Sequence, residues 1–157
     1  MVDLEEKLAH LAERVSTLED ELEIHRVLVR YGFAVDAGDA DRMVELYTED
    51  TSIVIDGTNV MCGRDEARTI VTGDYHQAIL PNCAHLIGPM VIRVDGDRAT
   101  ASGYVQLYVR DGEGFLVRRV SSSRWLFERR GDRWEIAERE SMMIGNDGSQ
   151  KILAEGF

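Results

Sequence analysis

Two side chains in this sequence, Asp36 and His85, have the types needed for acid–base chemistry. Asp36 follows an apolar stretch at the end of a helical pattern, and His85 lies in a strand-like run. A carboxylate that accepts from one imidazole nitrogen fixes the tautomer and raises the basicity of the other nitrogen. That nitrogen can remove a proton from a bound molecule and later return it. Without a nucleophile or metal, such a pair would support elimination, isomerisation or activation of water.

Each of these residues also has an ordinary structural interpretation. His85 shares strand parity with Cys83 and Ile87, and a histidine on such a face is often a hydrogen-bonded core residue. Asp36 could end a helix or pair with an arginine. Because the two residues lie far apart in the sequence, the acid–base interpretation depends on whether the fold brings them together.

The segment before Asp36 carries the strongest periodic pattern of the chain. Its apolar side chains are spaced 4-3-4-3-4, as at the a and d positions of a heptad, and charged residues fill most other sites. This stripe predicts either an amphipathic helix lying on its own domain or a helix-to-helix contact between subunits. From Ile24 to Val35 the pattern becomes that of a helix packed on a sheet. The stripe consists of Leu4, Leu8, Leu11, Val15, Leu18 and Leu22.

The pattern of the region that follows predicts short helices and one hairpin. Ala37 and Gly38 interrupt the first helix, and Asp39 is suited to cap a second one. An Asp56-Gly57 pair predicts a tight turn between two short strands. The predicted elements are a helix over about 40–48, strands near 52–56 and 59–62, and a helix from 64 to about 79, interrupted at Gly73 and ended by Pro81.

The rest of the chain has the pattern of a β-meander. Turn signals with glycine separate long runs that are rich in strand-forming residues, and one run alternates apolar and polar side chains with period two. Helices followed by a long meander indicate the α+β class. A strongly bent sheet with helices on its concave side would enclose a pocket. The predicted strands span about 83–94, 98–110, 115–129 and 133–144.

Two stretches of the sequence resemble a known family. One is RYGFAVDAGDADRMVELYTEDTSI, beginning at Arg30, and the other is SSSRWLFERRGDRWEIAERES, beginning at Ser121. They resemble the SnoaL-like family of the nuclear-transport-factor-like superfamily, over about residues 22–145. The branch contains scytalone dehydratase, bile-acid dehydratase and hexachlorocyclohexane dehydrochlorinase. The resemblance implies an α+β cone in which N-terminal helices and a curved antiparallel sheet surround an internal pocket.

The resemblance also implies roles for individual residues. His85 would be the general base and Asp36 its orienting carboxylate. Arg139 would steady a leaving anion, and Tyr31 would polarise a carbonyl or assist the leaving group. Tyr31 and Asp36 point about 140° apart on an ideal helix, so both reach one pocket only if the helix ends near Asp36. We also expect substrate contacts from Cys83, Tyr47 and Met143.

The parity of the last strand leaves the direction of Arg139 open. Arg139 alternates in phase with Ala137 and Ser141, whereas Trp134 and Ile136 face the other way. Arg139 therefore either lines the pocket or is an exposed arginine on the convex face of the sheet.

Composition narrows the range of partners. The chain has 157 residues and a net charge of −11, which argues against nucleic acid and anionic membranes, because both bind clustered Lys and Arg. It has only two cysteines, and its N-terminus is acidic and polar, unlike a signal peptide. We therefore expect a soluble cytoplasmic protein. The sequence contains no recognised metal-ligand spacing or nucleotide-binding motif, so we expect no metal and no cofactor.

Together these observations predict a cofactor-independent lyase, a dehydratase or related β-eliminating enzyme, for a small, neutral, ring-containing molecule. An isomerase or polyketide-type cyclase with the same dyad, and a non-catalytic binding protein, are the alternatives. We divide the chain into a helical extension over residues 1–22, a cone over 23–145 and a tail over 146–157. The resemblance favours a homotrimer, with a homodimer next.

Overall fold

The computed structural model describes residues 3–156 as six helices and one curved six-stranded sheet, which confirms the predicted α+β class. Residues 1, 2 and 157, which belong to the predicted extension and tail, lie outside the described residues. In chain order the elements are α1 Leu4–Asp36, α2 Ala40–Val44, β1 Tyr47–Ile55, β2 Asn59–Cys62, α3 Gly63–Ala67, α4 Thr69–Thr72, α5 Asp74–Gln77, β3 Cys83–Asp95, β4 Arg98–Asp111, β5 Gly114–Arg130, β6 Arg133–Met143 and α6 Ser149–Ala154.

The sheet has the strand order β2-β1-β6-β5-β4-β3. Strands β3 to β6 form the predicted antiparallel meander, and β1 and β2 form the predicted hairpin. The turn of this hairpin uses positive φ angles at Asp56 (53°) and Gly57 (69°), a backbone conformation that Asp and Gly tolerate better than most residues. The sequence pattern did not predict that β1 pairs with β6 in parallel, which joins the hairpin to the meander.

Helix α1 has 33 residues and two different environments. Its C-terminal half packs on the concave side of the sheet and buries Ile24, Val27, Leu28 and Tyr31, as the change of pattern predicted. Its N-terminal half leaves the leucine stripe exposed, so the stripe does not lie on its own domain. No helix between residues 3 and 156, α1 included, is both long and apolar enough to cross a membrane.

The helices between α1 and β3 are shorter than predicted. α2 ends at Val44 because β1 begins at Tyr47, and the expected helix over 64–79 is three short helices. One break falls at Gly73, whose backbone is extended and whose added Cβ would come 2.7 Å from the Thr69 carbonyl oxygen. The short helix α6 in the tail was not predicted.

A β-bulge in β6 resolves the parity of Arg139. Leu126 of β5 pairs with Glu138, but the next residue pairs with Ile136, so Ala137 is the extra residue on β6. A bulge moves all later side chains to the opposite face. Arg139 is therefore buried on the same side as Ile136, and the alternative of an exposed arginine on the convex face is wrong.

Candidate active site

The structure brings Asp36 and His85 into direct contact. Asp36 is the last residue of α1, and its Oδ1 lies 2.6 Å from Nδ1 of His85 on β3. The other carboxylate oxygen, Oδ2, accepts a 2.7 Å hydrogen bond from the backbone N–H of His85. An ionised carboxylate only accepts, so Nδ1 carries the proton and Nε2 is left as the basic nitrogen.

Close packing of α1 on β3 makes this contact possible. A Cβ added to Gly32 would come 3.1 Å from the carbonyl oxygen of His85, so the glycine lets the helix lie against the strand. The helix then ends at Asp36, as the geometry of Tyr31 and Asp36 required, and Gly38 turns the chain with a φ of 70°. The side chains of Tyr31 and of the dyad can therefore both face one cavity.

That cavity has a volume of about 320 Å³ and lies between the sheet and the helices α1, α4 and α5. His85 forms part of its wall and Asp36 stands behind His85. A volume of this size suits a small molecule and lies within the usual range for such sites. The wall consists of Tyr31, Ile55, Asn59, Met61, Thr69, Ile70, Gly73, Tyr75, His76, His85, Val105, Leu107, Arg119, Ser121, Arg139 and Ser141.

A second polar group on the wall is formed by Arg139 and Tyr31. The Arg139 guanidinium donates to the Tyr31 hydroxyl and stacks over the Trp125 ring, 4.5 Å from its centroid. Burial alone would lower the pKa of Arg139, but Tyr31 and Tyr47 outweigh burial and hold that pKa above its ordinary value. No carboxylate among residues 3–156 pairs with this cation, and its Nε has no hydrogen-bond partner there. The wall thus presents a fixed, uncompensated positive charge.

Three residues that we expected to contact the substrate do not line the cavity, so these predictions are corrected. Tyr47 is fully buried in the core, where its ring packs edge-on against Tyr31. Met143 is the last residue of β6 and lies 40% exposed, outside the cavity wall. Cys83 turns its Sγ towards Asp36, 3.7 Å from Oδ1, and is also not part of the wall.

Cys83 and the dyad form a compact group that the sequence analysis missed. The ligand atoms of Asp36, Cys83 and His85 lie within 4.8 Å of one another, so this set could hold a metal ion. Asp36 is 47 residues from Cys83, which is why no metal-ligand spacing was visible. Burial, with a further contribution from Asp36, raises the pKa of Cys83 to about 11. In the metal-free protein this thiol is therefore protonated at neutral pH and is not a nucleophile.

Two further wall residues were not singled out from the sequence. His76 is buried on α5, and its ring centroid lies 5.7 Å from that of His85. Arg119 forms a bidentate ion pair with Asp56, at 2.7 and 2.9 Å. No sequence signal marked Arg119.

A model of the SnoaL-like domain matches residues 16–140 of this chain. The chain belongs to the SnoaL-like domain family. An NTF2-like protein with a cystatin-like fold from Novosphingobium aromaticivorans is 34% identical, with 98% of each chain covered and a TM-score of 0.87. No curated protein matches the sequence.

Two more distant solved structures share the fold of this SnoaL-like protein. The hexachlorocyclohexane dehydrochlorinase LinA-type3 from Novosphingobium barchaimii is 16% identical, covers 85% of this chain and 92% of its own, and has a TM-score of 0.71. A candidate scytalone dehydratase from Novosphingobium aromaticivorans is 15% identical, covers 83% and 87%, and has a TM-score of 0.69. The predicted family and the predicted cone fold are therefore confirmed.

Proposed function

We propose that this SnoaL-like protein is a cofactor-independent lyase that removes a small leaving group, such as water, from a small, neutral, ring-containing molecule. The observation that carries the proposal is the hydrogen-bonded Asp36–His85 pair on the wall of the cavity. The dehydrochlorinase and the candidate scytalone dehydratase, which have the same fold, are both named for eliminations, and this precedent favours elimination.

The first step uses the free nitrogen of His85. Nε2 takes a proton from the carbon next to a substrate carbonyl, and Asp36 stabilises the imidazolium that forms. The electron pair of the broken C–H bond moves to the carbonyl oxygen. Arg139 and Tyr31 would stabilise that oxygen, because they place a positive charge and a hydroxyl on the same cavity wall.

The second step expels the leaving group. The electron pair returns from the oxygen to form the carbon–carbon double bond, and the bond to the leaving hydroxyl breaks with its electron pair on oxygen. A proton delivered to this oxygen gives water. If the proton instead returned to a different carbon, the same dyad would catalyse an isomerisation, so product analysis has to separate the two reactions.

The base can be tested before the substrate is known. Nitrobenzisoxazole is a small, neutral, ring-containing probe that opens by proton removal and N–O cleavage, an elimination that releases a coloured phenolate. We expect the protein to accelerate this reaction and His85→Gln to slow it by about 10²–10⁴-fold. His25→Gln is the matched control, because His25 is exposed on α1. Equal rates for His85→Gln and the wild type would favour the binding-protein alternative.

The leaving group is tested with a panel of cyclic β-hydroxy ketones followed by mass spectrometry. We expect a product lighter by one water that requires His85. A product of unchanged mass that also requires His85 would overturn the lyase in favour of an isomerase.

We also propose that the reaction needs no metal or cofactor, because Nδ1 of His85 and the Asp36 carboxylate are bonded to each other. Treatment with a chelator should therefore leave the turnover of the probe unchanged. Complete loss on chelation with recovery on addition of zinc would show that Asp36, Cys83 and His85 serve as metal ligands instead.

A further inference from the structure

The N-terminal arm of α1, residues 4–22, carries an apolar stripe that its own domain leaves uncovered. The six side chains of the stripe are between 50% and 69% exposed. A continuous apolar row of this kind on a soluble protein marks an interaction surface. Its members are Leu4, Leu8, Leu11, Val15, Leu18 and Leu22.

The stripe points away from the sheet. Further along the same helix, Ile24, Leu28 and Tyr31 are buried against the domain. On an ideal helix the centre of that buried face lies about 150° from the centre of the stripe. Val29, one heptad after Leu22, is also exposed and continues the stripe on the outer side. A second helix can therefore lie along the arm without displacing its own domain.

We propose that the arm pairs in parallel with the arm of a second copy of this chain. In a parallel pair, position g of one helix faces position e of the next heptad on the other. Arg14 would then face Glu19 of the second copy, and Glu21 would face Arg26 of the second copy. The remaining pair, Lys7 with Ala12, carries no like charges.

The antiparallel alternative is disfavoured by charge. If the stripe residues met in antiparallel order, the contacts of like charge between Glu5 and Glu19 and between the two copies of Arg14 would outnumber the attractive contacts. The only attractive pair would be Lys7 with Glu21.

The stripe has leucine at each d position, and its a positions are Leu8, Val15 and Leu22. A β-branched residue at a with leucine at d, as at Val15, favours two strands. The residue types of the arm thus point to a dimer, where the family resemblance alone favours a trimer.

Light scattering after gel filtration tests the stripe. We expect the wild type at twice the chain mass of 17.7 kDa, and the variant Leu11→Glu/Leu18→Glu at one chain mass. Ala9→Glu/Ser16→Glu adds the same charge at exposed positions off the stripe and should stay dimeric. A wild type of one or three chains, a stripe variant that stays dimeric, or a control that dissociates equally would overturn the proposal.

Charge reversal tests the parallel register. Arg14→Glu should raise the dissociation constant of the dimer about tenfold, because two attractive pairs become repulsive. Arg14→Glu/Glu19→Arg should restore the wild-type value, since these positions face each other only between parallel copies. If the double variant dimerises as weakly as Arg14→Glu, the parallel register is wrong.

A different observation concerns His76, which the proposed mechanism does not use. Its Nε2 lies 2.8 Å from the carbonyl oxygen of Val35. A carbonyl only accepts, so Nε2 carries the proton and Nδ1 has the lone pair. Between residues 3 and 156 no protein group forms a hydrogen bond with Nδ1, and His76 lines the cavity.

The end of α1 therefore holds two imidazoles. The Val35 carbonyl orients His76, and the carboxylate of the next residue, Asp36, orients His85. The bond to Val35 uses the N–H at Nε2, so His76 keeps this bond whether or not Nδ1 holds a proton.

We infer that His76 is the acid that protonates the leaving oxygen, an inference that rests on the proposed lyase function. As the carbon–oxygen bond breaks, its electron pair stays on oxygen, and that oxygen takes the proton from Nδ1 of His76. His85 ends the step with one proton more and His76 with one proton fewer. Exchange with solvent returns both to their starting states.

Dependence on the leaving group tests this role. Nitrobenzisoxazole releases a weakly basic phenolate that needs little protonation, whereas unsubstituted benzisoxazole releases a more basic one. We expect His76→Gln, which keeps a donor for Val35, to slow the unsubstituted probe at least tenfold more than the nitro probe. His85→Gln should slow both probes equally, because both need the base.

The outcomes separate the two proposals. If His85→Gln loses turnover and His76→Gln slows both probes equally or neither, the acid role of His76 is wrong while the base stands. If His85→Gln keeps turnover, the proposed lyase function itself fails.

Discussion

The two polar groups on the cavity wall differ in how their charges are compensated. The Asp36–His85 pair is partly exposed, and its carboxylate accepts from both the ring and the backbone of His85. The Arg139 guanidinium is buried among Tyr31 and Trp125, with no carboxylate partner in the described part of the chain. One group contains an imidazole that can take up and release a proton, whereas the other holds a permanent charge.

In the proposed reaction, this difference suits the dyad to proton transfer and Arg139 to the stabilisation of negative charge. In that reaction the proton carrier has to keep one basic nitrogen free, and the hydrogen bond between Nδ1 and Asp36 holds His85 in that tautomer. A group that stabilises charge developing on a substrate is most effective when it is fixed and not neutralised beforehand. Arg119, on the same wall, is already paired with Asp56 and is therefore the less suitable cation of the two.

The largest expected effect is on the dyad. His85→Gln and Asp36→Asn should each slow turnover of the nitrobenzisoxazole probe, by about 10²–10⁴-fold for His85→Gln. Asparagine can present either a donor or an acceptor to Nδ1 and so allows the wrong tautomer. In the double variant, loss of Asp36 should add little, because the two residues act as a unit. Multiplicative losses, measured as a double-mutant cycle, would mean that they act independently.

The next effect concerns Arg139, where we expect a substitution to lower the activity without lowering the stability. Arg139→Met should lower turnover about 10²-fold, because the stabilising charge is lost. Its thermal midpoint should stay at or above that of the wild type, since the variant removes a buried charge that lacks a carboxylate partner. Circular dichroism measures the midpoint. A variant that keeps full activity, or melts well below the wild type, would contradict the contrast between the two groups.

A smaller effect concerns the paired arginine. The Arg119 hydrogen bonds, with a further bond from the Met143 N–H, hold the pKa of Asp56 below its ordinary value of 3.8 against the effect of burial. The ion pair therefore stabilises the fold above that pH, and its contribution is lost as the pH falls through the lowered pKa. Urea unfolding at neutral pH should show that Asp56→Asn costs about 1 kcal/mol.

The free energy of unfolding at low pH provides the control for the Arg119–Asp56 pair. The difference between wild type and Asp56→Asn should shrink as the pH falls below 3.8, because the wild-type carboxyl then becomes neutral. A difference that is constant with pH would assign the cost to packing or to the Met143 hydrogen bond rather than to charge.

The smallest effect is a difference in the rate of alkylation between the two cysteines. With a pKa of about 11 instead of 9.0, Cys83 holds about 10²-fold less thiolate near neutral pH than an ordinary cysteine. Iodoacetamide at pH 8 should therefore modify the exposed Cys62 and spare Cys83, and the rate at Cys83 should rise with pH. Peptide mapping of Cys62→Ser reports on Cys83 alone. Rapid alkylation there would show that burial and Asp36 do not raise the pKa of Cys83.

Much of the fold could be predicted from the sequence. Turn signals with glycine located the four long strands and the turn of the hairpin, but β1 begins at Tyr47, well before its predicted start near residue 52. The prediction was less complete for the helices. Gly73 indicated an interruption, but not that the segment over 64–79 forms three short helices. Local patterns define strands and turns well because the turn residues themselves determine the backbone there.

The candidate site could be predicted only residue by residue, through the family resemblance. Asp36, His85, Tyr31 and Arg139 were all named, and the structure places them in or directly behind one cavity wall. Strand parity left the direction of Arg139 open, because a bulge is a single extra residue with no marker in the sequence. His76 was missed because a short helix turns it inwards, and only the packing of α5 against the end of α1 decides that.

The sequence by itself determined the α+β class, the order of the strands along the chain and the heptad stripe, since these depend on periodicity and on turn residues near each other in the chain. Only the tertiary structure decided which distant groups meet. The approach of α1 to β3 at Gly32 joins Asp36 to a histidine 49 residues away, and the bulge at Ala137 turns Arg139 inwards. Such contacts depend on how whole elements pack, which no local pattern encodes.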